Sequence, residues 1–400
     1  MANARRELKV ALVGTGFMGR VHSIAYAILP SFYPGLPPVR RGVVVDVTEA
    51  LARKGAHQFG YDEWSLDWRS AIDRPDIDIV DIVTPNDSHR PIAEFALDHG
   101  KHVLCEKPLA VTVEDARLMA EKARCANTVS MVVFNYRRCS AVLEAKRLID
   151  EGRIGRILNF RGLYLQDWAM PEDTPWSWRF GAAQSGSGAL GDIGSHALDI
   201  AHYLVGEIDS VAAAAETFVK ARPRPGEASS APASAAASDA PNASPEMAPV
   251  DVDDCTIALL RFSNGALGTL EASRFAYGRK NFLSFEISGS KGALAFNWER
   301  SNELQFYSAE DRGDVQGFRT IITGPAQPNG ELFWPIPGIG TAYIETQVAQ
   351  VGDFVRAIAG GSRNSSGFDH GYRIQQMMEG VLAASRTGRW VSVAPASLSA

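Results

Sequence analysis

The sequence lacks most features that would set it apart from ordinary globular proteins. It has four cysteines in 400 residues, Cys105, Cys125, Cys139 and Cys255. None forms a C-x-x-C pair or stands at zinc-ligand spacing, which excludes a disulfide scaffold and a zinc ribbon. They read as buried free thiols in a reducing compartment. No bound metal is expected. No run of about 18 apolar residues occurs, so no membrane span is expected. The first residues lead straight into an apolar strand-like run, with no apolar leader followed by a small-residue cleavage site. The expectation is a cytoplasmic protein. There is no excess of basic charge either: 40 Lys and Arg against 46 Asp and Glu leave a net charge of −6. That balance argues against a broad nucleic-acid surface.

What is present is ordinary in amount and informative in order. Hydrophobic residues make up 46% and charged residues 22%, enough apolar material for a real core. The length allows two or three domains. Strand-like runs at Leu8–Val13, 43–45, 77–83, His102–Cys105 and 129–134 alternate with helix-like stretches at 20–27, 50–59, 91–99 and Val113–Cys125. That pitch predicts a doubly wound parallel sheet, an α/β domain over residues 7–134. The pattern then changes. After a helix at 141–150 come strand-like runs at 157–166, 211–219, Cys255–Phe262, 267–274, 282–288 and 293–297, several closed by turn pairs. Helix-like stretches at Tyr343–Ile358 and 372–385 follow. Residues 135–400 read as an α+β domain. Within it, 21 of the 30 residues 221–250 are Ala, Pro or Ser. Such a segment buries too little to offset its ordering entropy and reads as a disordered insert.

Gly14-Thr15-Gly16-Phe17-Met18-Gly19 matches G-x-G-x-x-G between a buried strand and a helix, the setting that makes it a dinucleotide fingerprint. Gly14 permits the tight turn, Gly16 clears space for a pyrophosphate, and Gly19 lets helix and strand pack closely. The helix N-terminus adds N–H donors and the positive end of its dipole. Asp46 closes the second strand, further along than the usual ~20 residues. The Pro-rich piece 30–38 is read as the loop that takes up the difference. A carboxylate there accepts from two ribose hydroxyls and repels a 2′-phosphate, which favours NAD over NADP. Thr84-Pro85-Asn86 follows the third of these runs at its carboxyl end, a second candidate contact.

Cys105-Glu106-Lys107-Pro108 ends the next strand, so Lys107 projects near the same edge. An ammonium there would stabilise an alkoxide developing as hydride leaves. Pro108 can fix the turn as a cis peptide. A second cluster runs from Gly186 to Asp199. In it Asp192 and His196 stand i, i+4 on a helix expected to begin near 191. A carboxylate one turn away can orient the imidazole and raise its proton affinity, making His196 a general base. The glycines around the pair read as room for a ligand to approach the backbone.

Together the strand-G-x-G-x-x-G start, Glu106-Lys107-Pro108 and the Gly-rich D-x-G-x-H-x-x-D segment resemble the Gfo/Idh/MocA oxidoreductases, in order and spacing over nearly the whole chain. The resemblance implies a Rossmann domain followed by a C-terminal domain with a large open, mostly antiparallel sheet. Sheet faces in such proteins commonly bury dimer or tetramer contacts, so a homo-oligomer is expected. It implies Lys107, Asp192 and His196 as catalytic positions. Expected cofactor contacts are Gly14, Gly16, Phe17, Met18, Gly19, Asp46, Thr84, Pro85, Asn86, His89, Glu106 and Lys107. The segments at 134–138, 164–168, 177–180 and 334–337 look similar to members that oxidise the C3 hydroxyl of an anhydrosugar with NAD.

The residues alone make sense for a sugar. Trp168, Trp176 and Trp178 occupy an irregular stretch with Pro171 and Pro175; their faces suit the C–H face of a pyranose. Asn135, Tyr136, Arg137, Gln166 and Arg179, with Lys107, Asp192 and His196, are expected to contact its hydroxyls. No Arg pair is evident to clamp a carboxylate, which favours a cyclic sugar or polyol. Inositol or glucoside 3-dehydrogenation, keto-sugar reduction and a non-catalytic dinucleotide-binding regulator remain alternatives at this point.

Overall fold

The structure is a computed structural model that describes residues 6–225, 245–360 and 366–393. Among these, β1 (Leu8–Val13), β2 (Val39–Val45), β3 (Glu63–Ser65), β4 (Ile79–Ile82), β5 (His102–Cys105) and β6 (Ser130–Val132) form one sheet. Every neighbouring pair is parallel, in the order β3-β2-β1-β4-β5-β6. The order reverses between β1 and β4, which opens a crevice at their carboxyl ends. Helices α1 (Phe17–Phe32), α2 (Glu49–Phe59), α3 (Trp68–Ile72), α4 (His89–Asp98) and α5 (Val113–Cys125) connect the strands. Covered on both faces, β1 can be a continuous apolar run, and Val10, Ala11 and Leu12 are fully buried. The hydroxyls of Thr48 and Thr112 start α2 and α5 by accepting from the amides of Leu51 and Asp115.

Two local expectations change here. β3 has no strand pattern of its own; it pairs with the edge that β2 offers. The first helix does not stop at 27 but runs through Pro30 to Phe32, because Tyr26 and Leu29 bury their side chains beneath it.

After α6 (Ser140–Asp150) comes the second sheet. The chain runs through β7 (Ile157–Leu165), α7 (Ala182–Ser185), α8 (Ser195–Leu204), β8 (Ile208–Glu216), the separate ribbon β9 (Ala221–Pro223) and β10 (Met247–Pro249), β11 (Cys255–Phe262), β12 (Leu267–Ser273), β13 (Phe282–Gly289), β14 (Gly292–Asn297), β15 (Glu303–Ser308) and β16 (Arg319–Ile322). α9 (Gly330–Phe333), α10 (Tyr343–Ile358), α11 (Phe368–Thr387) and β17 (Val391–Ser392) follow. The sheet order is β16-β15-β14-β13-β7-β12-β11-β8-β17. β7 and β12 run parallel and the other pairs antiparallel. The expected fold class holds: a parallel Rossmann-like sheet and a large open, mostly antiparallel one. β11 alternates as a one-sided strand should, with Thr256, Ala258, Leu260 and Phe262 inward and Ile257 and Leu259 outward.

The last helices hold the two sheets together. Val348, Val351, Phe354 and Val355 of α10 share a core with Leu8, Val10 and Leu12 of β1 and Tyr26 of α1. Met377, Met378 and Val381 of α11 pack in one core with Met119 of α5 and Val211 of β8. The insert reading needs correction at both ends. Arg222 pairs with Ala248 across the β9–β10 ribbon and is fully buried, so the segment's flanks are anchored. A composition averaged over the segment hides those few residues; residues 226–244 lie outside the described ones. Among the described residues no helix is long and apolar enough to cross a membrane, and no cluster of His, Cys, Asp and Glu could hold a metal ion.

Candidate active site

A cleft of about 1410 Å³ runs from the carboxyl edge of the first sheet onto the second. Pockets for drug-sized ligands span roughly 300–1,000 Å³, so this one has room for a dinucleotide and a second small molecule. The loop 14–19 forms its near wall. Gly14 has φ +108°, and a Cβ there would stand 2.8 Å from the Val83 carbonyl oxygen; one on Gly19 would stand 2.5 Å from the Gly14 oxygen. Both positions therefore require glycine. A Cβ on Gly16 would meet nothing within 4 Å. Its missing side chain leaves open space at the N-terminus of α1, the position a pyrophosphate would fill.

Asp46 directly follows β2 and lines the same cleft. Its carboxylate accepts from the Thr15 amide (2.8 Å), the Thr15 hydroxyl and the Val47 amide (2.7 Å). Arg40 and Arg41, the nearby cations, point elsewhere: Arg40 pairs with Asp62, and Arg41 donates to the Phe59 carbonyl. The acidic strand end therefore faces the cleft, and neither of these two guanidiniums is turned toward it for a 2′-phosphate. Phe17, Met18, Thr84, Pro85, Asn86 and Glu106 line the cleft too. The donor set and the cleared glycine cradle fit NAD.

Farther in, the two halves meet. Lys107 precedes a cis Lys107–Pro108 peptide. Its Nζ donates to the backbone oxygen of Asp192 at 2.6 Å and lies 3.7 Å from Asp192 Oδ1. Asp192 sits in a π-helical turn, Leu190–Gly194, that leads into α8. Asp253 holds this turn by accepting from the amides of Gly188 and Leu190. His196, on the first turn of α8, is 6% exposed, with Tyr136 edge-on at 4.8 Å and Phe134 at 5.9 Å. Its Nδ1 has no hydrogen-bond partner. Burial, then the Lys107 charge, push the imidazole well below its ordinary value, outweighing Asp199 and Asp192. His196 is thus held neutral. Burial works against ionisation of Asp192, yet the charges of Lys107, Arg179 and Arg274 hold its carboxyl below the usual range.

The far wall is a hydrogen-bonded chain. The Tyr136 and Tyr164 hydroxyls lie 2.7 Å apart. Tyr164 and Gln166 both donate to Asn281 Oδ1, Asn281 donates back to Tyr136, and the Trp168 indole donates to Gln166. Trp168, Trp176, Trp178 and Arg179 stand around it and line the cleft. The Arg179 guanidinium stacks on Trp178 at 4.5 Å.

Known proteins match this arrangement along the chain. Residues 8–134 match the oxidoreductase family's NAD-binding Rossmann fold, and residues 142–295 match the GFO/IDH/MocA C-terminal domain. Levoglucosan dehydrogenase of Pseudarthrobacter phenanthrenivorans is 46% identical over 390 residues, 97% of this chain and 98% of its own. The chain belongs to the Gfo/Idh/MocA oxidoreductase family. A solved levoglucosan dehydrogenase in complex with NADH and levoglucosan superposes with a TM-score of 0.91 at 44% identity, over 98% of this chain and 100% of the other. The scyllo-inositol 2-dehydrogenase (NAD(+)) of Bacillus subtilis is 26% identical over 306 residues, 76% of this chain and 78% of its own.

Against the family resemblance, some expected ligands turn out to have structural tasks. His89 is fully buried; its ring nitrogens face the carbonyls of Thr84 (3.0 Å) and Pro108 (3.2 Å), stapling the loops after β4 and β5. It does not line the cleft. Arg137 is locked to Asp199 at 2.8 Å, with His370 on the same carboxylate, and stays behind the wall. Asn135 does reach the cleft, with its amide donating to Thr346 of α10. Asp192 makes no hydrogen bond to His196; the π turn aims it at Lys107, and the imidazole's proton affinity falls rather than rises. The glycines there serve packing: a Cβ on Gly188 would stand 1.8 Å from the Asp253 carbonyl oxygen. Sequence reasoning missed Tyr164, Asn281, Lys280 and Tyr343 as cleft residues. Tyr164 lies two before Gln166, so strand periodicity could have found it; Asn281 and Lys280 carry no such signal.

Proposed function

We propose that this chain is an NAD-dependent dehydrogenase of a cyclic sugar, with levoglucosan the favoured substrate and its C3 hydroxyl the group oxidised. The observation that carries this reading is the meeting of Lys107, Asp192 and His196 where the Gly14–Gly19 loop and the aromatic wall share one cleft. NAD supplies the hydride acceptor. Lys107 stabilises the alkoxide as the hydroxyl proton leaves. The neutral imidazole of His196 takes that proton. Asp192, kept ionised, accepts from a neighbouring hydroxyl. The Tyr136–Tyr164–Asn281–Gln166 chain offers donors and acceptors to the remaining oxygens. The tryptophans cover the ring and exclude water. Identity to levoglucosan dehydrogenase over nearly the full length supports the choice of sugar.

NADH formation, followed with levoglucosan, glucose, myo-inositol and a methyl glucoside, tests the reading. Preference for levoglucosan is expected, with product analysis placing the ketone at C3. Preference for inositol would keep the chemistry and change the sugar; silence with every sugar would favour a regulator. We further propose a cytoplasmic homo-oligomer, a dimer or tetramer joined through the open face of the second sheet. Ile257, Leu259 and Leu267 stand about half exposed on that face. Light scattering reads the mass directly, and a monomer would refute this.

A further inference from the structure

Arg274 follows β12 and is fully buried. A buried guanidinium is expensive unless close carboxylates compensate it. This one makes no tight ion pair. Its Nη1 lies 3.8 Å from Asp192 Oδ2 and donates to the Arg179 carbonyl at 3.3 Å. Its Nη2 lies 3.8 Å from Asp254 Oδ1 and donates to the Asp253 carbonyl at 3.3 Å. Its Nε and Asp254 Oδ1 have no hydrogen-bond partner. The cation is held instead between two rings, Phe180 at 5.2 Å and Trp168 at 5.3 Å. Arg222 of β9 stacks on Phe180 at 4.4 Å and donates to the Ala169 and Pro171 carbonyls.

Stability alone would favour a closed bidentate pair or an apolar side chain at this position. The geometry serves something else. Lys107 Nζ stands 3.7 Å from one carboxylate oxygen of Asp192, and Arg274 Nη1 stands 3.8 Å from the other. Neither is at hydrogen-bond distance, so both oxygens keep their lone pairs for a ligand. Arg274 also holds the backbone of Arg179 and the ring of Trp168, both on the cleft wall.

We propose that Arg274 is a positioning residue of the sugar pocket: it holds Asp192 as a carboxylate aimed into the cleft and fixes the Trp168–Arg179 wall beside it. This rests on the proposed role of Asp192 toward the sugar. The titratable groups facing Asp192 are Lys107 after β5, Arg179 in the turn 178–180, Arg274 after β12 and the neutral His196 on α8; the three cations keep it ionised against burial. Removing Arg274 takes away one cation from the side that no substrate reaches. The Asp192 carboxyl then protonates at higher pH, and the acid limb of activity moves up.

The test uses Arg274→Met, Arg274→Lys and the double variant Arg274→Met with Asp254→Asn, in the full-length enzyme. The double variant removes both buried charges and so keeps a folded protein available if the single change does not fold. For sugar oxidation, kcat/KM at neutral pH should fall between about 10-fold and 100-fold. The acid limb should rise by about one pH unit, as expected when a charge neighbour is lost. NADH affinity, read by fluorescence titration, should stay at the parent value. Arg274→Lys, which keeps the charge but not the fork, should return the limb to its place with only part of the rate. A folded double variant with the parent's acid limb and kcat/KM would overturn the proposal even where Asp192→Asn is inactive. Parental turnover in Asp192→Asn is a different outcome: it would remove the site reading and this inference with it.

Discussion

The near and far walls of the cleft are built by different means. The near wall is backbone: a six-residue loop whose glycines answer to the Val83 and Gly14 carbonyls, a helix N-terminus and the ends of parallel strands. The far wall is side chains: Tyr136, Asn281 and the stretch holding Tyr164, Gln166 and Trp168 come from three separate places in the chain and hold one another by hydrogen bonds. A wall made of backbone is written where it stands in the sequence. A wall made of side chains exists only once the second sheet has formed. The first should therefore fail as a cofactor site and the second as a sugar site, each without the other.

The strongest way to break that separation is at the junction. Lys107→Met and His196→Ala should each lower turnover by about 10³-fold. NADH affinity should remain parental in both, measured by fluorescence titration; an equal loss of NADH binding would mean that the walls are not separable. Next comes His22, buried behind the near wall between Asp81 (2.9 Å) and Glu106 (3.2 Å). Burial alone would lower its proton affinity, but the two carboxylates raise its pKa from 6.5 to about 10. Because the folded value lies above the unfolded one, this stabilisation is complete below pH 6.5 and disappears as pH rises through about 10. His22→Asn should cost about 3 kcal/mol near neutrality, measured by urea unfolding, and the gap from the parent should close toward alkaline pH. A constant gap would show that the charge is not what holds this site.

Smaller changes sharpen the contrast. Gly16→Val places carbons in space that is empty in the protein. It should leave the melting temperature alone while raising the KM for NAD on the order of 100-fold. A parental KM would remove the pyrophosphate from that position. Tyr164→Phe breaks the bonds to Tyr136 and Asn281. Losing about 1 kcal/mol should raise the KM for the sugar several-fold and leave the KM for NAD unchanged. An effect on NAD instead would place Tyr164 on the wrong wall.

How much of this was legible follows the same division. Alternating runs and glycine spacing gave the parallel sheet, Asp46 at its strand end and Lys107 at the shared edge, because each depends on neighbours in sequence. The π turn at Leu190–Gly194 was not legible: i, i+4 spacing suggested a pair between Asp192 and His196, while the extra residue in that turn sends the carboxylate toward Lys107 instead. Arg137 and His89 have the chemistry of ligands, but Asp199 and three backbone carbonyls claim them. Asn281 became visible only when β13 was placed beside β7. Arg274 shows no motif at all; its meaning depends on where Asp192 and Asp254 stop relative to it.

The most direct test of the central claim, that the two walls bring a sugar carbon to the nicotinamide in one cleft, is isotope transfer. Levoglucosan carrying deuterium at C3 is oxidised by the enzyme with NAD, and the NADH is analysed by mass spectrometry. The account predicts that the deuterium appears in the NADH and that turnover slows relative to unlabelled sugar. Turnover that leaves the deuterium on the sugar would contradict it.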